Sequence, residues 1–223
     1  MLKLRSLAKS YGGPHGRRVL ANLDLDVSRG EYVAIMGESG VGKSTLLNLI
    51  AGLDRADEGS VELDGTDLRR LDDDALTLLR RRQIGFVFQA FHVLPYLSVF
   101  RNVALPLVLN GVAADEADRR VMEMLDAVAL ADRVHSMPRE MSGGELQRIA
   151  IARALVHRPG LVLADEPTGN LDADTGAQVL RLLRERIVSG RAAGILVTHS
   201  RAAAATADRV LTLTAAGLRE APA

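Results

Sequence analysis

The run Gly37-Glu38-Ser39-Gly40-Val41-Gly42-Lys43-Ser44 matches G-x-x-x-x-G-K-[ST] at every fixed position. Glycines at this spacing let backbone N–H groups close around phosphate oxygens, and a helix N-terminus behind them adds the positive end of its dipole. Lys43 can reach the β- and γ-phosphates of such a ligand, and the Ser44 hydroxyl can ligate Mg²⁺. Gly37, Ser39, Gly40, Gly42, Lys43, Ser44 and Thr45 are the candidate nucleotide-binding residues of this loop. Further on, Leu161-Val162-Leu163-Ala164-Asp165-Glu166 is an apolar run ending in two carboxylates. At the C-terminal end of a buried strand, that pair lies where open α/β sheets bind ligands. Asp165 fits a magnesium ligand, and Glu166 is placed to polarise an attacking water as general base.

A third segment, Met141-Ser142-Gly143-Gly144-Glu145-Leu146-Gln147-Arg148, begins as a capping box, with Ser142 at the N-cap and Glu145 three residues later. Capping does not account for Gly143 and Gly144, which weaken a helix. Two glycines there expose N–H groups to something that approaches closely. The chain already holds one phosphate cradle, about 100 residues upstream. The second therefore points to a nucleotide held by another copy of the chain.

These residues need elements to place them. Leu2 to Leu7 and Leu23 to Val27 alternate with period two and read as strands. Tyr32 to Met36 is a short apolar run, the mark of a strand buried on both faces. Val61 to Leu63, Gly85 to Phe88, Leu161 to Ala164, Gly194 to Val197 and Val210 to Leu213 read as further strands. Ser44 to Ala51 and 172–189 read as helices, and Ser142-Gly143-Gly144 opens one running to His157. Gly12-Gly13-Pro14 is a turn. Between about 90 and 158 helical spacing dominates. Val121, Met124, Leu125, Val128 and Ala129 form one apolar face, and Pro138 closes that region. Asp72-Asp73-Asp74 reads as a solvated helix start. The expected fold is α/β, with a mostly parallel core sheet, flanking helices and a helical insertion. The chain reads as one domain over 1–223.

In motif order, and over essentially its whole length, the sequence resembles the ATP-binding subunits of ABC transporters. Ser142-Gly143-Gly144-Glu145 matches that family's signature motif. The resemblance implies a P-loop NTPase with an N-terminal antiparallel β subdomain and a helical subdomain. The core and β subdomain take 1–89 and 159–223, and the helical part takes about 90–158. The resemblance implies a head-to-tail dimer in which each ATP lies between one chain's P-loop and the other's signature helix. It implies that Tyr11 stacks on adenine and that Gln89, after the strand Phe86-Val87-Phe88, contacts Mg²⁺ and the catalytic water. It implies that Asp172, in Gly169-Asn170-Leu171-Asp172, touches the opposite site, and that His199 bonds the γ-phosphate. The implied catalytic set is Glu166, His199, Gln89 and Lys43, and the implied metal set is Ser44, Gln89 and Asp165. His15, His92, His135 and His157 receive no role. Leu146 and Ser200 depart from residues common in relatives, at positions that are not primary ATP ligands.

Ala164-Asp165-Glu166-Pro167-Thr168-Gly169-Asn170-Leu171-Asp172, Ser44 to Asp54 and Phe88-Gln89-Ala90-Phe91 are similar to one group within the family. That group holds macrolide and peptide exporters, lipoprotein-release systems, haem exporters and the cell-division ATPase. It implies a permease of the MacB/FtsX-like type, with four spans per subunit and a large extracytoplasmic domain. Phe91, Val93, Leu94, Pro95 and Tyr96 read either as core of the helical insertion or as a docking groove for a short permease helix, and the resemblance implies the groove. Two other readings stay open: a non-transport regulator of cell-wall enzymes, and a soluble ATPase acting on nucleic acid.

Composition bears on these. The 223 residues carry 28 basic and 28 acidic side chains. Balanced charge argues against a nucleic-acid partner. The absence of cysteine excludes disulfides and thiolate chemistry. No run nears the ~20 apolar residues of a membrane span, and the N-terminus lacks a signal-peptide core. The expectation is a soluble subunit on the cytoplasmic face of the bacterial inner membrane, held there by its permease. Lys3, Lys9 and Lys43 are the only lysines.

Overall fold

Alternation of apolar and polar residues builds the first sheet. In the computed structural model, which describes residues 1–12 and 16–220, strands β1 (Leu2–Tyr11), β2 (Arg17–Val27), β4 (Glu58–Leu63) and β5 (Thr66–Asp67) pair antiparallel in the order β2-β1-β4-β5. Leu23, Leu25 and Val27 point inward, with Asp24 and Asp26 outward. The expected period-two strand from Leu2 to Leu7 runs on to Tyr11 but is not regular. Ser6 adopts φ 46, and the register shifts on either side of Leu7. A bulge of this kind twists a strand and turns its side chains. The turn expected at Gly12-Gly13-Pro14 and the unassigned His15 lie outside the described residues, Gly12 excepted.

The second sheet is built from the short apolar runs. Its order is β10-β9-β3-β8-β7-β6, from β3 (Tyr32–Met36), β6 (Ile84–Phe88), β7 (Leu161–Asp165), β8 (Ala193–Thr198), β9 (Arg209–Thr214) and β10 (Gly217–Glu220). The five strands from β9 to β6 are parallel and β10 is antiparallel. One apolar core lies between the two sheets and takes in Leu46, Leu47, Leu49 and Ile50 of helix α1 (Lys43–Ile50). A second covers the opposite face of the parallel sheet. It gathers Val179, Leu180, Leu183 and Ile187 of helix α6 (Ala173–Ser189) and Ile151, Ala154 and Leu155 of helix α5 (Gly143–Leu155).

The region from 90 to 158 contributes helices α3 (Val99–Leu109), α4 (Ala114–Ala127) and α5 around a third core. Helix α5 serves two cores at once: Ile149 and Ala152 face α3 and α4, while Ile151 and Ala154 face the sheet. Two expectations need correction here. Ala129 is exposed and sits at φ 55, outside the helix, so only Val121, Leu125 and Val128 of the expected stripe are fully buried. Helix α4 also ends at Ala127, well before Pro138, which instead opens a short 3-10 turn. Asp72 does cap a helix, α2 (Asp73–Gln83), accepting from Ala75 N–H at 2.8 Å. A short helix α7 (Arg201–Ala204) completes the set.

Candidate functional site

Strand register decides where the site forms. Met36 lies opposite Thr198, Phe88 opposite Asp165, and Asp165 opposite Val197. The chain therefore leaves four neighbouring parallel strands at one edge, and Gly37, Gln89, Glu166 and His199 emerge there together. This is the edge where parallel sheets bind ligands. A cleft of about 540 Å³ opens at it, lined by Tyr11, Val19, Ser39, Gly40, Gly42, Lys43, Ser44, Thr45, Gln89, Asp165, Glu166 and His199.

Its floor is an unfilled helix end. Gly42, the N-cap of α1, has φ 110 and supplies no side-chain cap, and the first turn of α1 holds no acidic residue. A Cβ at Gly42 would come within 2.7 Å of Val19 Cγ1, so only glycine fits. A Cβ at Gly37 would press on the Leu213 carbonyl at 2.8 Å. Lys43 Nζ donates to the carbonyls of Gly37 and Glu38 at 2.8 and 3.0 Å. The loop thus presents a ring of donors with a cation at its rim, which is the chemistry that binds a polyphosphate.

The carboxylates face this floor. Burial pushes the Asp165 carboxyl above the ordinary aspartate range, reinforced by the neighbouring Glu166 charge and opposed by a Ser44 hydrogen bond and by Lys43. Glu166 stands at φ 47 with its N–H bonded to the Val197 carbonyl at 2.9 Å. Its Oε2 accepts from Thr198 Oγ1 at 3.0 Å, and its Oε1 lies 2.7 Å from His199 Nδ1. Gln89 Nε2 approaches Asn170 Oδ1 at 3.4 Å, and Asn170 Nδ2 donates to the Gln89 carbonyl at 2.9 Å. Among the described residues, no three or more His, Cys, Asp or Glu side chains are placed to hold a metal ion by themselves. Mg²⁺ takes a few hard oxygens and leaves its other positions to water and phosphate. The Ser44 hydroxyl, the Asp165 carboxylate and the Gln89 side-chain carbonyl are such oxygens.

Ser142, Gly143, Gly144 and Asp172 do not line this cleft. Ser142 and Glu145 close a capping box, with Glu145 Oε2 accepting from Ser142 N and Oγ, both at 2.8 Å. The sequence alone left both glycines without a packing reason; the fold supplies one for Gly144. A Cβ there would stand 2.5 Å from Thr175 Cγ2, so Gly144 lets α5 approach α6. Gly143 has only ordinary contacts. Asp172 caps α6, with Oδ1 accepting from Thr175 N–H at 3.0 Å. It lines a separate cleft that also reaches Glu166 and His199.

The sequence reading missed several residues. Thr198 is fully buried, donates to Glu166 and accepts from Ser200 N–H at 3.0 Å. A threonine at a strand end carries no pattern that marks it. Arg153 of α5 donates to the carbonyls of Phe91 and His92 at 3.0 and 2.6 Å. Those two residues hold φ 54 and φ 50 just past Gln89. Asn102, fully buried, bonds Leu94 through both backbone groups and fixes the loop that exposes Tyr96, 91% accessible.

Comparison with known proteins gives the family. The profile described as ABC transporter matches residues 20–169. The chain belongs to the ABC transporter family. It is 48% identical to the lipoprotein-releasing system ATP-binding protein LolD of Pseudomonas syringae over 99% of this chain and 98% of that one. It is 43% identical to the macrolide export ATP-binding/permease protein MacB of Nitrosomonas europaea over 95% of this chain and 32% of that longer one. The dimeric bacterial ABC transporter cassette MJ0796 matches the whole chain with a TM-score of 0.89 at 38% identity. The same cassette in a post-hydrolysis state with ADP and Pi matches with a TM-score of 0.87. The chain is accordingly an ATP-binding, ATP-hydrolysing subunit of an ABC transporter. Among the described residues no helix is long and apolar enough to cross a membrane.

Proposed function

We propose that the 540 Å³ cleft is the ATP half-site of a closing dimer. The observation that carries this reading is the uncapped N-terminus of α1 facing Asp165, Glu166, Gln89 and His199 across one cleft. The N–H groups from Gly40 to Thr45, with Gly37, Ser39 and Gly42 shaping the loop, hold the phosphates, and Lys43 swings from its own loop carbonyls onto them. Tyr11 walls the base. Ser44, Asp165 and Gln89 would hold Mg²⁺, which would supply charge neutralisation on the phosphate oxygens. Glu166 takes a proton from the attacking water, held in place by Thr198 and His199. His199 bonds the γ-phosphate. Ser142, Gly143, Gly144 and Asp172 act on the nucleotide of the partner chain.

In this reading the helical subdomain is the part within about 90–158. Its exposed Leu94 and Tyr96 meet a permease of the MacB/FtsX-like type at the cytoplasmic face of the bacterial inner membrane. The names of the relatives favour lipoprotein release or export over cell-division control. Glu166→Gln tests the core of the proposal. ATP binding should persist, turnover should fall by ~10²–10⁴-fold, and dimers should accumulate with ATP. Turnover at the parent rate removes Glu166 as the base.

A further inference from the structure

Lys9 is one of three lysines, and it is 9% exposed, an unusual burial for this residue type. Its Nζ donates to Asp54 Oδ1 at 2.8 Å and to the Arg55 carbonyl at 2.7 Å. The other oxygen of Asp54, Oδ2, accepts from the Tyr11 phenol at 2.6 Å. Lys9 Nζ also stands 5.1 Å from the centroid of the Tyr11 ring. Asp54 is thus gripped on one side and grips Tyr11 on the other. Burial works to raise its carboxyl, but the bonds from Lys9, Tyr11 and the Arg55 N–H outweigh it and hold Asp54 below the ordinary range. The bond to Asp54, then burial, push the Tyr11 phenol up against opposing effects of a Thr45 hydrogen bond and the Lys9 charge, so it stays a donor.

The position of Asp54 in the chain gives this network a function. Asp54 follows α1 by a short loop folded back on the helix, with the N–H groups of Leu53 and Asp54 both reaching the Asn48 carbonyl. Helix α1 carries Lys43 and Ser44 at its start. One eight-residue helix, roughly 12 Å long, therefore joins the phosphate cradle to the group that orients Tyr11. Tyr11 is 46% exposed, at the last position of β1. Without a tie it would sample several rotamers, and a base stacking on it would have to order it first.

We propose that Asp54, set by Lys9, is a positioning residue that fixes the Tyr11 ring as the wall for an aromatic base, at a distance from the phosphates set by α1. This rests on the reading of the cleft as the nucleotide site. Calorimetry with ATP and with inorganic tripolyphosphate, both with Mg²⁺, separates base from phosphate contributions. Asp54→Ala and Tyr11→Phe should each weaken ATP binding about five- to tenfold and leave tripolyphosphate binding within about twofold of the parent. Their combination should cost no more than either alone, because both remove the same bond. Tyr11→Phe keeps the Lys9–Asp54 pair, so it answers the question even if Asp54→Ala folds poorly.

Parallel loss of ATP and tripolyphosphate binding in Tyr11→Phe overturns the proposal, because the bond would then act on the cradle. If Tyr11→Ala weakens ATP binding while Asp54→Ala and Tyr11→Phe match the parent, the aromatic wall stands and the positioning role falls. If Tyr11→Ala binds ATP like the parent, the wall itself is refuted and the positioning role with it.

Discussion

Helices α1 and α5 both begin at a glycine-rich turn, and they treat their first N–H groups in opposite ways. At α1 the cap is Gly42, with φ 110 and no side chain to offer, and no acid follows. At α5 the cap is Ser142, and Glu145 folds back onto its N–H and hydroxyl. Glu145 is further held toward Arg133, 3.6 Å away. One helix end is left open to an anion from outside, and the other already holds an anion of its own. In the proposed dimer, a phosphate approaching α5 must compete for the Ser142 hydroxyl, whereas one approaching α1 displaces only Lys43 from two carbonyls. In that dimer, first binding and closure should therefore differ in strength, because the two caps differ.

The comparison breaks most sharply if α1 is given the acid of α5. Thr45 occupies the third helical position that Glu145 holds in α5. Thr45→Glu should lower ATP affinity by about 100-fold or more, with unchanged or improved thermal stability, because the new carboxylate satisfies the same N–H groups. Titration with a fluorescent nucleotide beside a melting curve reads both; full affinity would show that the α1 end does not hold the phosphates. The glycines come next. Gly144→Ala should cost ~1–3 kcal/mol from the clash with Thr175, whereas Gly143→Ala should change stability by less than about 1 kcal/mol. Equal denaturation midpoints for the two would contradict the packing role of Gly144.

The smallest effect sharpens the contrast. Glu145→Gln keeps the capping box and removes its charge. In the Glu166→Gln background it should lower the ATP concentration for half-maximal dimerisation about two- to fivefold, read by light scattering. Stability moves the other way. Hydrogen bonds from the Ser142 backbone and side chain, with Arg133 and Arg148 nearby, hold the Glu145 carboxyl below its ordinary range. An acid lowered on folding adds stability above its unfolded value, near 4.5, and loses it as pH falls through the folded value. The melting temperatures of parent and Glu145→Gln should therefore converge as pH drops from 6 toward 3. A gap that is constant across that range would show that the Glu145 charge does not stabilise the cap.

The parts of the site that sequence made legible share one property: local pattern and place in the chain coincide. The P-loop follows the buried run Tyr32–Met36, and Asp165 and Glu166 end another, so the chemistry and the strand ends announce each other. The β5 and β10 strands and the four-residue α7 were too short to show a period. Ala129 kept the helical spacing of its neighbours, yet the backbone turns left-handed there. The bond from Tyr11 to Asp54 spans 43 residues, and that from Arg153 to Phe91 spans 62. Such pairs are fixed by how strands and helices stack, which no local window contains. Gly144 was legible as unusual, but its reason lay across the fold in Thr175.

That contact carries a consequence for variation among relatives. Gly144 touches Thr175, and the N–H of Thr175 is the one that Asp172 caps. The signature turn and the start of α6 thus meet as a single joint. A lineage that enlarges the side chain at 144 must make room at Thr175 Cγ2, whereas the backbone N–H that Asp172 caps stays in place. The two positions should be inherited as a matched pair, with drift at one recorded as compensation at the other.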